Sequence, residues 1–394
     1  GPAEIHSVSG ANTWTGAWAI EPTCFPIVVE AGSTLTAAGV LSGVGGLHKD
    51  GLGTFVLSGA NTYAGVTHVA EGTLRAQSNT ALGSTAGGTE LLGGTLELQG
   101  GITIGEALGI DAGPAEIHSV TGANTWTGAW NIDPVCFPIV VEAGSTLTAS
   151  GVVSGVGGLH KDGLGAFVLS GANTYAGVTH VVEGTLRVLS NTALGSTAGG
   201  TELMGGTLEL QGGITIGEAL GIDAGPAEIH SVSGANTWTG AWNIDPVCSP
   251  IVVEAGSTLT ASGVLSGVGG LHKDGLGTFV LSAANTYTGV THVVAGTLRA
   301  QSNTALGSTA GGTELMGGTL ELQGGITIGE SLAIDPGPAE IHSVSGANTW
   351  TGAWAIDPLC SPIVVAAGST LTAAGVVSGV GGLHKDGLGT FVLS

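Results

Sequence analysis

Cysteine occurs four times in this chain, at Cys24, Cys136, Cys248 and Cys360, and the four are evenly spaced. Histidine keeps the same period, with His6, His48 and His68 recurring in every full copy. Tryptophan comes in pairs: Trp14 and Trp18, Trp126 and Trp130, Trp238 and Trp242, Trp350 and Trp354. A thiolate can ligate a metal or form a disulfide, an imidazole can carry a proton, and an indole face can stack on a sugar ring. Here each group would act three or four times in a line. That suits a fibre, stalk or adhesive surface better than a unique active site.

Cys24 lies in Pro22-Thr23-Cys24-Phe25-Pro26, where the prolines impose extended or turn backbone. Phe25 becomes Ser249 and Ser361 in later copies, so that position reads as solvent-facing. Alternation then turns Cys24 inward as an inert buried thiol. The sharper alternative is a set of intermolecular crosslinks through Cys24, Cys136, Cys248 and Cys360, zipping neighbouring rods. Within one rod the spacing exceeds the ~7 Å Cα separation a disulfide allows. No metal or cofactor is expected: thiolate metal sites take several convergent ligands, and no CxxC or CxxCH occurs.

Asn12-Thr13-Trp14 and Asn61-Thr62-Tyr63 belong to two related Ser-Gly-Ala-Asn-Thr-aromatic motifs. The plain reading is a turn whose Asn bonds nearby amides and whose aromatic packs on a neighbouring coil. Asn61 and Asn79, nearly one coil apart, are candidates for an amide ladder. The functional reading makes the eight tryptophans a glycan or lateral contact platform. His48-Lys49-Asp50-Gly51 reads as a charged surface turn whose Lys–Asp pairing is worth little. The tandem nonapeptides of a calcium β-roll are lacking, so divalent cations are expected only as loose counter-ions. A triad or paired-carboxylate site needs convergent groups with tuned pKa values. The histidines are scattered and Arg75 is the only arginine of its copy, so no enzyme is expected.

The elements that position these residues follow from the repeat. Copies span residues 1–112, 113–224 and 225–336, with a partial copy at 337–394, and the first two differ at only 11 of 112 positions. Gly supplies 74 of 394 residues and charged residues only 9%, yet 42% are hydrophobic, so a thin continuous core is expected rather than disorder. Helix signals are nearly absent, whereas short alternating strands such as Thr34-Leu35-Thr36-Ala37 and Thr95-Leu96-Glu97-Leu98 abound. Strand-opening glycines at 32, 53, 72 and 94 set a finer rhythm of about 22 residues. At ~4.8 Å per coil this gives a β-helix of about five coils and roughly 24 Å per block, with 17 or 18 coils and on the order of 85 Å in all. The copies are expected to form one continuous solenoid. Leu35, Val56, Leu74, Leu96 and Ile104 are the expected inward residues, with Thr34, Thr36, Thr73 and Glu97 outward. A string of small sandwiches is disfavoured, because the short rhythm runs through the copy junctions without a linker.

There are 29 acidic and 7 basic residues, a formal charge of −22. This argues against nucleic acid and against an anionic membrane surface, and no apolar run reaches the ~18 residues of a membrane helix. The chain starts and stops inside a repeat, and reads as a segment of a longer polypeptide with uncapped ends. Self-association, end to end and laterally, is therefore expected.

From Gly43 to Leu74 the sequence resembles the autotransporter-associated β-strand repeat, or passenger-associated transport repeat. That pattern is G-G-L-x-K-x-G-x-G-T-L-x-L-S-G-x-N-T-Y-x-G-x-T-x-V-x-x-G-T-L. The match recurs from Gly155 and Gly267 and begins again at Gly379. The resemblance implies a right-handed parallel β-helix, exported and displayed at a bacterial surface. We therefore read the chain as a structural segment of an extracellular fibre, stalk or matrix filament. The alternative is an adhesin binding glycans or host surfaces through its Trp or acidic faces.

Overall fold

The computed structural model describes residues 4–21, 24–111, 113–133, 136–223, 225–245, 248–357 and 360–394. Among them every regular element is a β-strand of two to six residues. The chain divides into two compact units, residues 1–200 and 201–394, each a parallel β-solenoid.

In the first unit one face is an 8-stranded parallel sheet. It comprises Ile5–Ser7, Phe25–Val29, Leu47–Asp50, Thr67–Val69, Thr89–Leu91, Leu108–Ile110, Trp130–Ile132 and Val153–Gly155. A second face stacks Ala11–Trp14, Thr34–Ala37, Thr54–Leu57, Thr73–Ala76, Thr95–Gln99, Glu116–Thr121 and Cys136–Val141. On the third side, Trp18–Ile20 pairs with Leu41–Gly43. The next two turns carry no strand there. Instead Thr62 N donates to Leu41 O at 2.8 Å, and Asn61 accepts from Leu41 N while donating to Ala81 O. Asn61 thus ties its turn to those before and after, and Asn79 accepts from Thr103 N. Each amide is spent on backbone, so the two do not form the amide ladder expected of them.

The turn length is read from the strand register. Arg75 and Glu97 are direct partners on successive turns and stand 22 residues apart, the coil length expected. Ile5, Ile27, Lys49, Val69, Leu91 and Ile110 form one inward column of successive partners, five turns from end to end. The counterpart of Ile5 one block later is Ile117, seven positions beyond Ile110. Ile117 pairs with Leu96 and so lies on the second face. Phe25–Val29 belongs to the 8-stranded sheet, but its counterpart one block later, Cys136–Val141, pairs with Glu116–Thr121 and Gly158–Asp162 on the second face. A block is thus five turns and about a third. The second unit repeats the relation. There Ser249–Val253 pairs with Leu271–Asp274 in one sheet, while Cys360–Val365 pairs with Gly382–Asp386 in another, of 9 strands.

Leu35, Phe55, Leu74 and Leu96 stack as direct partners and are buried, as is Ile104. Thr34, Thr36, Thr73 and Glu97 lie outward and half-exposed. Val56 is buried but not inward: its register partners are Thr36 and Arg75 on the outer face.

Two expected turns are strands. Ala123–Trp126 is one, and Asn124 points inward. Its Oδ1 accepts from Gly101 N and Ile102 N, and its Nδ2 donates to Ser119 Oγ at 2.9 Å. Leu47–Asp50 is the other, and alternation drives Lys49 into the core at 1% exposure. Its three ammonium protons meet the carbonyls of Asp50 at 2.9 Å, Gly51 at 2.6 Å and Glu71 at 3.0 Å. Gly51 makes this possible by turning the backbone at φ 73°, where a side chain is strained. Burial lowers the Lys49 pKa to about 8, against the opposing pull of Asp50 and Glu71. Lys161 and Lys273 repeat the arrangement.

Candidate functional site

The same alternation that buries Lys49 presents His48 and Asp50 on the outer surface, and Thr67–Val69 presents His68. Pro26, His48 and His68 are direct partners on three successive turns. Cys24, two residues before Pro26 and so on the same side, reaches across: its Sγ lies 3.2 Å from His68 Nδ1. The Cys24 sulfur and one ring nitrogen each from His48 and His68 all fall within 4.8 Å of one another. The two imidazole rings are 5.6 Å apart and tilted by 37°.

The cluster recurs as Cys136, His160 and His180, and as Cys248, His272 and His292. The sulfur-to-Nδ1 distances there are 3.2 and 3.4 Å, and the rings are 5.9 and 6.0 Å apart. In the partial copy, Pro362 partners His384 just as Pro26 partners His48, beside Cys360. The sequence stops before the position matching His68.

Carboxylates stand behind the rings. His68 Nε2 is 3.1 Å from Glu90 Oε2, and His48 Nε2 is 3.4 Å from Asp50 Oδ1. His292 Nε2 keeps the same relation to Glu314, at 3.3 Å. Glu90 therefore occupies one nitrogen of His68 and leaves Nδ1 facing the thiol. Burial raises the Cys24 pKa, with Asp50 and Glu90 adding to it, and burial alone raises Cys136 and Cys248. Burial and then the neighbouring His292 lower the pKa of His272, against the opposing pull of Asp274.

This corrects the reading of the cysteines. Cys24, Cys136 and Cys360 are exposed and Cys248 is half-buried, not inward. The inward slot belongs to the next residue: Phe137 is 2% exposed, and Ser249 and Ser361 occupy the same buried place. A small hydroxyl is tolerated there, so the Phe-to-Ser change did not mark a solvent-facing position. Nor do the thiols stand alone, since two imidazoles converge on each of three of them. The backbone proposed for Pro22 and Thr23 lies outside the described residues. The third-turn offset also puts Cys24 and Cys136 on different faces, so one straight neighbour could not be crosslinked through both.

The tryptophans are corrected too. Trp126, Trp130, Trp238, Trp242, Trp350 and Trp354 are at most 1% exposed; Trp130 and Trp242 stack in the core on Phe167 and Phe279, and Trp354 stacks on the half-buried Phe391. Trp126 Nε1 donates to Glu106 O at 2.7 Å. These faces cannot meet a sugar. Trp18 is half-buried, and Trp14 alone, in the first turn, is 49% exposed.

Sequence reasoning also missed Glu106, Glu218 and Glu330, each 3% exposed and hydrogen-bonded to Thr89, Thr201 and Thr313. Burial raises their pKa to about 7, and the threonine hydroxyls partly offset it.

Fold, period and register together define a tandem-repeat parallel β-solenoid. The repeat is the passenger-associated-transport-repeat, carried three times, at residues 47–76, 159–188 and 271–300. The chain is similar to the adhesin BmaC autotransporter of Brucella suis biovar 1 (strain 1330), with 34% identity over 370 residues. That alignment covers 92% of this chain but 10% of the relative, so the chain spans about a tenth of the protein it matches. No solved structure gives a significant match.

Lys49, which the fold buries, and His48 and His68 lie within the matched residues 47–76, whereas Cys24 lies outside them, and all four recur in every full copy.

Proposed function

We propose that this chain is a non-catalytic passenger segment, displayed at a bacterial cell surface, whose work is mechanical extension. The observation that carries this reading is the unbroken inward column from Ile5 to Ile132 inside a chain built on passenger repeats. Each turn adds a strand spacing of about 4.8 Å and hydrogen-bonds only to the turns beside it. Length then scales with the number of blocks, and no single block is indispensable. The acidic outer faces keep such segments soluble and repel one another at low salt. Immunogold labelling of intact cells tests the display. Labelling without permeabilisation supports it, and labelling that requires permeabilisation rejects it.

A second reading, adhesion, is favoured by the relative's own designation as an adhesin. With the tryptophans of copies two to four in the core, contact would fall to the outer faces. These carry the acidic side chains and an exposed leucine per full block: Leu52, Leu164 and Leu276. Binding of the purified chain to a glycan array separates the readings. Selective, saturable retention of one glycan class favours adhesion, and uniform absence of binding favours the mechanical role.

A further inference from the structure

We propose that each full block carries a metal site, in which Cys24, His48 and His68 and their counterparts hold one borderline-soft divalent cation of the zinc class. Three ligand atoms from three successive turns face one point on the outer surface, within 4.8 Å of one another. Ligands about a tetrahedral Zn²⁺, at ~2.3 Å for sulfur and ~2.0–2.1 Å for nitrogen, sit roughly 3.3–3.6 Å apart. The 3.2 Å between Cys24 Sγ and His68 Nδ1 is already close to that. Closing the set needs side-chain rotation only, because Pro26, His48 and His68 are held in register by the sheet.

The donor set selects the ion. One thiolate and two imidazoles suit Zn²⁺ or Co²⁺ and not Ca²⁺ or Mg²⁺, which take oxygen. Glu90 is placed as an outer partner: by holding His68 Nε2 at 3.1 Å it orients Nδ1 toward the ion. Binding displaces the thiol proton to solvent and leaves the fourth position to water. The family match does not account for this arrangement, since Cys24 lies outside the matched residues 47–76.

The ion would staple three turns at the surface, a link the backbone ladder lacks. In the first unit the Cys24 and Cys136 sites fall on different faces, so successive staples brace different sides of the solenoid.

The test is a Co²⁺ titration of the whole reduced chain in excess Mg²⁺, followed by Zn²⁺ displacement. Three equivalents are expected, with thiolate-to-cobalt charge-transfer absorption that Zn²⁺ abolishes. Zn²⁺ should also protect three of the four thiols from a disulfide reagent, leaving Cys360 reactive. Because none of these thiols lies in the core, the triple variant Cys24→Ser, Cys136→Ser, Cys248→Ser should keep its β circular dichroism and lose all tight binding. Glu90→Gln should weaken one site about 10-fold. A folded chain with no charge-transfer band overturns the proposal. So does equal Zn²⁺ uptake by the triple variant, which would assign binding to the acidic surface.

Discussion

Lys49 Nζ donates at 3.0 Å to the carbonyl of Glu71, one turn further along the solenoid. The same ammonium closes the tip of its own turn through Asp50 O and Gly51 O, so one buried cation clamps two turns. All three of its donors are used, as a charge inside a core requires.

Removing that clamp should be costly. Lys49→Met keeps the aliphatic stem and strips the donors from three carbonyls. A loss of about 1–3 kcal/mol is expected near pH 7, measured by thermal melting or local hydrogen exchange. The pH slope gives a second readout. With a folded pKa of about 8 against 10.5, the folded state sheds its proton first. Relief from the cost of burying the charge is fully present above pH 10.5 and is lost as pH falls through about 8. The variant should lose that slope, and an unchanged alkaline profile would refute the lowered pKa of Lys49.

The buried carboxylic acids act in the opposite sense. Glu106, Glu218 and Glu330 have pKa values raised by burial to about 7 from 4.5. Between those values the folded state binds more protons than the unfolded. Their contribution is fully present below pH 4.5 and is lost as pH rises through about 7, on the order of 3 kcal/mol for each buried site. Replacing all three by Gln should flatten the stability profile between these two pH values. If the wild-type profile is already flat there, the acids are ionised in the fold and the assignment fails.

Position decides what each tryptophan is worth. Trp126→Ala empties a core slot and removes the bond to Glu106 O, so about 3–5 kcal/mol should be lost. Trp14→Ala should cost much less, since that ring is half exposed. Equal melting shifts for the two would mean that Trp126 is not in the core.

The strand pattern, turn length and central core were legible in the sequence, because alternation and glycine spacing report them directly. Leu35, Leu74, Leu96 and Ile104 all proved inward. What escaped were facts of register. Lys49 looks like a surface charge until its strand is known to begin at Leu47, after which alternation forces it inward. His48 and His68 look scattered until a turn is known to step from Pro26 to His48 and on to His68. With that step in hand, the cysteine two residues before Pro26 falls beside both rings. The tryptophans misled because a large aromatic next to Asn-Thr suits either a turn or a core strand, and only burial separates the two.

Extension by stacked turns is tested most directly by particle length in electron micrographs. Chains carrying successively more copies of the repeated block should be imaged side by side. At five and a third turns per block, each added copy should lengthen the particle by about 26 Å. Growth by roughly 35 Å per copy, the width of a compact bead of that many residues, would mean separate beads and would contradict the solenoid passenger, as would bends at every copy junction.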